Sequence, residues 1–217
     1  MKFYRRHWYD VGCILFLALA FSAGYWGQKV SHIQAILIYS FMALLVHQYE
    51  EYAAPGGFPG IFNIAVLGER EVPERYPANE NQILITNVFL AYTFYIAAVV
   101  WPSLIWLGLA QVLFGMLQLV VHGIVVNAEL KSFYNPGLAS AIFLHWPIGI
   151  YYIHYVVTHH LASTRDFILG PVATVMGAFV MIILPIRLLS SKTSPYAFPE
   201  DEMYRYGKEK LKRMLRA

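Results

Sequence analysis

SLIWLGLAQVLFGMLQLVVHGIVVN, residues 103–127, contains no Asp, Glu, Lys or Arg. A helix needs about 20 apolar residues to cross the ~30 Å hydrocarbon layer of a bilayer, so this stretch is long enough to span one. The whole chain shares this character, because 58% of its 217 residues are hydrophobic and only 13% are charged. Soluble domains carry about 25% charged residues. The composition therefore excludes an ordinary soluble enzyme and favours an integral membrane protein.

Six segments have the length and apolarity of membrane-spanning helices, and most breaks between them hold Pro or Gly. We predict an all-α integral membrane protein, a bundle of six transmembrane helices at about 11–28, 33–52, 82–101, 103–127, 138–160 and 167–189. These spans form one domain, residues 1–190, which is interrupted by a long loop at 53–81. A basic tail at 191–217 follows the domain.

The positions of the Lys and Arg residues predict the orientation. If both termini are cytoplasmic, fourteen of the sixteen lie on the inner side and only Lys29 and Arg165 lie outside. Cytoplasmic loops are the ones enriched in Lys and Arg, so we predict that both termini are cytoplasmic. The basic tail suits an anionic membrane surface, and the chain offers no basic groove for nucleic acid. The partners we expect are therefore membrane lipids.

Polar side chains converge at the cytoplasmic end of the predicted bundle. His47, Glu50 and Glu51 end the second span at positions i, i+3 and i+4, which share one helical face. Carboxylates at the hydrocarbon boundary are costly and indicate a functional site. At 1.5 Å per residue, three more spans place polar side chains at a similar depth. The predicted layer contains His47, Asn87, His122 and His145, next to Glu50, Glu51, Asn127, Glu129 and Asn135.

Two kinds of chemistry fit these residues. In the first, His47, Glu50, His122 and His145 bind a divalent transition metal (zinc, iron or manganese), and Glu51 is a ligand or the base that activates a bound water. In the second, no metal or other cofactor is needed. One glutamate is then a general base, and His122 and Asn127 stabilise an oxyanion.

Two sequence elements resemble a known family. His47-x-x-Glu50-Glu51 resembles the signature of the HXXEE-motif family of small bacterial polytopic membrane proteins, and Asn127-x7-Asn135-Pro136-Gly137 is similar to a second element of that family. The resemblance extends from about residue 40 to 150. It implies a candidate enzyme of the bacterial inner membrane, with no assigned reaction or substrate. The residues of this sequence that match the family's motif positions are His47, Glu50, Glu51, Asn127 and Asn135.

We therefore expect a membrane-embedded hydrolase or metal-dependent enzyme that acts on a lipid-like or apolar substrate at the cytoplasmic interface. Its predicted catalytic residues are Glu50, Glu51, His122, Asn127 and Asn135. The alternative is a proton-coupled carrier that uses the same His/Glu layer, although the chain shows no inverted repeat. A third alternative is an assembly subunit in which the polar layer only locks the helices together. The sequence does not specify the substrate or the oligomeric state.

Overall fold

The computed structural model describes residues 2–216 and is all-helical, with no strand in that range, as predicted. Its helices are α1 (Lys2–Phe21), α2 (His32–Tyr52), α3 (58–66), α4 (Glu80–Val100), α5 (Ile105–Leu130), α6 (138–158), α7 (Thr164–Leu189), α8 (Glu200–Met203) and α9 (Lys208–Met214). A single further turn, Ala23–Trp26, follows α1. Helices therefore occupy most of each of the six predicted spans.

Three helices, α4, α5 and α7, are long and apolar enough to cross a membrane. In the most apolar part of α7 only 17% of the residues are buried inside the protein. An apolar surface of this extent is unsuited to water, because soluble monomers rarely expose contiguous apolar patches larger than a few hundred Å². The three helices are therefore consistent with a membrane protein.

The other three predicted spans are helical but more polar. Helix α1 begins with charged residues, Lys2, Arg5, Arg6 and Asp10, and it ends at Phe21, before the predicted end of the first span at 28. Helix α2 ends in the polar run 47–51. These helices are long enough to span a membrane but fall short of the apolarity that identifies α4, α5 and α7 as membrane-spanning candidates. Residues 2–216 therefore contain three such candidates and not the six that were predicted.

Polar caps determine where three of the long helices begin. The side chain of Ser31 accepts a hydrogen bond from the backbone N–H of Gln34, 3.2 Å away, at the start of α2. Asn79 caps α4 in the same way, and Ser163 forms a capping box with Asp166 at the start of α7. Such caps satisfy backbone N–H groups that lack a partner within the helix. The capping box explains why α7 begins at 164, three residues before the predicted span.

Among residues 2–216 the core consists of three apolar clusters, which occur in order along α2. The first contains Leu37 of α2, and the second contains Leu45, Tyr95 and Phe114. The third surrounds Tyr52, where α2 ends. The polar residues 47–51 therefore lie between the second and third apolar clusters.

The predicted loop and tail pack on each other beneath this polar layer. Helix α3 lies within the predicted loop 53–81, and Met203 and Leu211 of the tail are buried in the same cluster as its apolar residues. The contact is close enough to require a glycine in α3, because a Cβ at Gly60 would lie 2.0 Å from the carbonyl oxygen of Met203. The tail therefore forms part of the folded protein at the end of the bundle that carries the polar layer.

Candidate metal centre

Three buried side chains, His47, Glu51 and His122, form the centre of the polar layer. Glu51 Oε1 lies 3.7 Å from His47 Nε2 and 3.4 Å from His122 Nε2. One potential ligand atom from each residue lies within 4.8 Å of the other two. The residues are only 2%, 6% and 1% exposed, in chain order. Two imidazoles and one carboxylate in this arrangement could hold a divalent metal ion.

Asn135 fixes which nitrogen of His122 carries the proton. Its amide nitrogen donates to the carbonyl oxygen of His122 and to Asn127 Oδ1, both at 2.8 Å. These two acceptors identify the other end of the amide as oxygen, which lies 2.7 Å from His122 Nδ1. His122 Nδ1 must therefore be the donor in that contact, since an amide oxygen only accepts. In a neutral ring, Nε2 then carries a lone pair, and this atom is the one next to Glu51.

Ser140 and Glu50 have the same effect on His47. The Ser140 hydroxyl donates to Glu50 Oε2 at 2.5 Å, and His47 Nδ1 lies 2.9 Å from the Ser140 oxygen. Because the single hydroxyl proton of Ser140 is directed at Glu50, its oxygen accepts from His47 Nδ1. The lone pair of a neutral His47 is then on Nε2. When both rings are neutral, each histidine therefore presents a lone pair to the Glu51 carboxylate.

The structure separates the two adjacent glutamates, which we expected on one face with His47. Glu50 turns away from the centre and accepts hydrogen bonds from the backbone N–H groups of Ala139 and Ser140, at 3.0 and 2.8 Å. These groups lie in the first turn of α6, where backbone donors lack partners within the helix. Consecutive helical residues point about 100° apart, so Glu50 reaches α6 while Glu51 reaches α5.

Tyr134 completes the surroundings of Glu50. Its hydroxyl donates to Glu50 Oε1 at 2.9 Å. Burial, together with the Glu50 carboxylate, raises the pKa of the Tyr134 hydroxyl above its ordinary value. The phenol therefore stays protonated and keeps donating at physiological pH. Each oxygen of Glu50 accepts two hydrogen bonds, so this side chain has few lone pairs left for a metal ion.

The Asn-Pro-Gly element lies against the ring of His122. Gly137 has φ +104°, and a Cβ at this position would lie 2.4 Å from His122 Cε1. A glycine is therefore required both by the backbone conformation and by the close approach of the ring. Phe58 of α3 covers His122 from another side, with the ring centroids 5.2 Å apart.

The remaining predicted residues lie near the centre without joining the group of three. The His145 ring centroid is 5.4 Å from that of His47, and its Nε2 has no hydrogen-bond partner among residues 2–216. Asn127 connects to the centre through Asn135, and Asn87 accepts a hydrogen bond from Gln48 beside it. His122 and His145 both lie in π-helical turns, which are frequent at functional sites. The roles predicted for Glu50, Asn127 and His145 as catalytic or ligand residues stay predictions.

Sequence reasoning missed Ser140 and Tyr134. Ser140 lies three residues after Gly137, in the first turn of α6. Polar side chains are common at the start of a helix, where they hydrogen-bond with free backbone N–H groups. That position gives a weak signal, and nothing in the sequence connects Ser140 to His47, 93 residues away. Tyr134 resembles the many tyrosines that are common near membrane interfaces.

A cavity of about 320 Å³ adjoins the centre. His47, Glu51 and His122 form part of its wall, and the rest comes largely from apolar side chains of α3, α4, α5 and α7, including Ala91, Phe114 and Met181. Ligand pockets commonly have about this size and are mostly apolar, with a few polar groups that orient the ligand. The arrangement could therefore place an apolar molecule next to the three polar side chains.

A family model described as "Protein of unknown function with HXXEE motif" matches residues 38–152, just over half of the chain. The chain belongs to this family. All three residues of the centre lie inside the matched segment, as do Glu50, Asn135, Gly137 and Ser140. No curated protein and no solved structure matches the HXXEE-family chain.

Proposed function

We propose that this HXXEE-motif protein is a metal-dependent membrane hydrolase that holds one divalent ion on His47, Glu51 and His122. Its substrate is an apolar, lipid-like molecule that occupies the adjoining cavity. Zinc is the ion we favour, because catalytic zinc sites commonly use two histidines and one glutamate and keep a position open for water. Iron(II) and manganese(II) accept the same ligand types.

The observation that carries this proposal is the set of distances from Glu51 to the two Nε2 atoms. Ligand atoms at about 2.1 Å from a tetrahedral zinc ion lie about 3.4 Å from each other. The separations of 3.4 and 3.7 Å fit this spacing. They exceed the ~2.9 Å typical of N–H···O hydrogen bonds, and in neutral rings the tautomers described above leave no proton on either facing nitrogen. A cation held by the three groups would remove the repulsion between their lone pairs.

The residues around the centre have distinct roles in this proposal. An ion held by His47, Glu51 and His122 would lower the pKa of water and so supply a nucleophile near neutral pH. Asn135 orients His122, while Glu50 orients His47 through Ser140. Groups that hydrogen-bond the free nitrogen of a metal-binding histidine fix its orientation and so affect how tightly the metal is held. The apolar wall excludes bulk water and holds the substrate beside the ion.

Metal analysis tests the ligand set directly. The protein is purified in mild detergent without a polyhistidine tag, together with His47→Ala, Glu51→Gln and the control His32→Ala. His32 lies at the opposite end of α2 and hydrogen-bonds with Tyr151, at 2.7 Å, away from the centre. We expect about one zinc, iron or manganese ion per chain in wild type and control, and a loss in the other two. If a folded wild-type protein resupplied with these ions retains none, the ligand assignment is wrong and Glu51 becomes a metal-free base.

Hydrolysis is tested separately, with esters and amides of medium-length fatty acids presented to the reconstituted protein. We expect cleavage that requires the metal and is abolished in Glu51→Gln. If metal-loaded protein cleaves neither class, the hydrolase assignment fails while the metal site stands.

We also propose that the six long helices all span a bacterial inner membrane, with both termini cytoplasmic. The Lys and Arg distribution supports this orientation. Because Cys13 is the single cysteine, Cys13→Ser allows single-cysteine labelling at exposed positions in two loops. In intact cells an impermeant maleimide should label Lys29→Cys but not Glu71→Cys, and both should react after lysis. Labelling of Glu71→Cys in intact cells would contradict the orientation.

A further inference from the structure

One polar atom at the wall of the cavity has no hydrogen-bond partner among residues 2–216. Gln82 lies in the first turn of α4 and is 1% exposed. Its amide nitrogen donates to Thr86 Oγ1 at 2.9 Å. Its Oε1 is buried and has no hydrogen-bond partner within the described residues. A buried acceptor that stays unpaired is costly, so native structures usually satisfy it by a protein group, a water or a ligand.

Gln82 lies at the same end of the cavity as the candidate metal centre. Gln48 of α2 hydrogen-bonds with Asn87 of α4, at 3.2 Å between the side chains, so these residues mark the same level. At 1.5 Å per residue, Gln82 lies about 7.5 Å from that level towards the start of α4. Glu51 lies about 4.5 Å from the same level towards the end of α2, which is the same direction. Gln82 is therefore within about one helical turn of the level of Glu51.

The opposite end of the cavity is apolar. Leu44, Ala91, Phe114 and Met181 belong to the second apolar cluster and line this part of the wall. The cavity thus has a polar end, formed by the candidate metal centre and Gln82, and an apolar end inside the bundle. A molecule with one polar head and one hydrocarbon chain matches this division.

We propose that the substrate is a single-chain amphiphile whose head group carries an N–H or O–H that donates to Gln82 Oε1. This places fatty amides and hydroxyl-bearing lipids ahead of simple diesters and ethers, whose head groups only accept. The cavity of about 320 Å³ has room for roughly ten water-sized groups, which corresponds to a chain of about ten carbons. The position of the reacting bond rests on the metal-dependent function proposed above, whereas the contact with Gln82 does not require a metal.

The test compares two ligands that differ in one donor. Binding of 1-decanol and of its methyl ether, which accepts but cannot donate, is measured by competition against a fluorescent fatty-chain probe in detergent. We expect wild-type protein to prefer the alcohol by about five- to tenfold, which is the effect of one net hydrogen bond. In Gln82→Leu the ratio of the two affinities should fall to about one, while the affinity for the ether stays the same or increases.

Gln111→Leu is the matched control. Gln111 is also fully buried and also has an Oε1 without a partner among residues 2–216, but it does not line the cavity. Its replacement should leave the preference for the alcohol unchanged. Equal binding of alcohol and ether by folded wild-type protein, or the same preference in Gln82→Leu, would overturn the inference. The experiment is run with and without metal, so a failure of the metal site is recognised separately from a failure of the Gln82 contact.

Discussion

Asn135→Ala should weaken metal binding by removing the group that orients His122. Asn135 is fully buried and holds His122 at two points, the ring Nδ1 at 2.7 Å and the backbone carbonyl at 2.8 Å. Without the amide, the Nδ1–H has no acceptor in that direction. The ring can then rotate, or move its proton to Nε2, and either change removes the lone pair from its position beside Glu51.

The structure sets the magnitude of two separate effects. Loss of a group that hydrogen-bonds a metal ligand typically weakens metal binding by about 10- to 100-fold. The same substitution leaves a buried donor and a buried acceptor of His122 unpaired, each at about 1–3 kcal/mol, so the metal-free protein should lose about 2–6 kcal/mol of stability. Asn127→Ala is the comparison, because Asn127 hydrogen-bonds with Asn135, which in turn hydrogen-bonds with His122. We expect its metal affinity to change by less than about threefold.

Metal affinity is measured by competition with a chromogenic chelator, and stability by thermal unfolding of the metal-free protein in the same detergent. The refuting result is an Asn135→Ala variant that unfolds earlier but binds zinc as tightly as wild type. Asn135 would then only support the fold, and the tautomer of His122 would not depend on it.

Three further substitutions test other contacts. Glu50→Gln should keep its metal, as measured by elemental analysis. Its unfolding temperature should fall, because an amide cannot accept all four hydrogen bonds of the carboxylate. Loss of metal from a folded variant would instead make Glu50 a ligand. Gly137→Ala should lose both stability and metal, since its Cβ meets the ring of His122; unchanged metal content would contradict that contact. Burial, above all, raises the pKa of Glu202 although Arg6 lies 3.3 Å away, so its ionisation disfavours the folded state. At pH values above the ordinary glutamate pKa, Glu202→Gln should therefore raise the unfolding temperature. The gain should vanish below about pH 4.5, grow as pH rises towards the raised pKa of Glu202 and stay constant above it. A gain independent of pH over the whole range would refute the reasoning.

The helices could be predicted because their signal is local. Apolar runs of about 20 residues and the breaks between them locate six helices to within a few residues at most ends, and depth along each helix brings His47 and His122 to one level. The packing of α3 against the tail could not be predicted, because it depends on contacts such as that of Gly60 with Met203, 143 residues apart. Sequence periodicity carries no information on such distant pairs.

The roles of side chains within the polar layer depend on the direction of each helix face, which depth alone does not define. Two helices at the same level can present a histidine to the centre or to lipid, and a π-helical turn rotates every residue that follows it. Such turns precede or include His122 and His145. This explains why the sequence could place His145 in the layer but could not determine whether its ring joins the group of three.

The spacing His-x-x-Glu-Glu now has a physical explanation. Glu51, four residues after His47, lies on the same face of α2 and meets the ring at Nε2, 3.7 Å away. Glu50, three residues after His47, is turned towards α6, where it binds the hydroxyl of Ser140, whose oxygen lies 2.9 Å from His47 Nδ1. The two glutamates therefore act on opposite nitrogens of one imidazole: Glu50 fixes the proton on the far side, and Glu51 faces the lone pair that this leaves. A sequence with a glutamate at only one of these positions would lack one of the two effects. If the glutamate pair were shifted by one residue along α2, both carboxylates would point away from their partners.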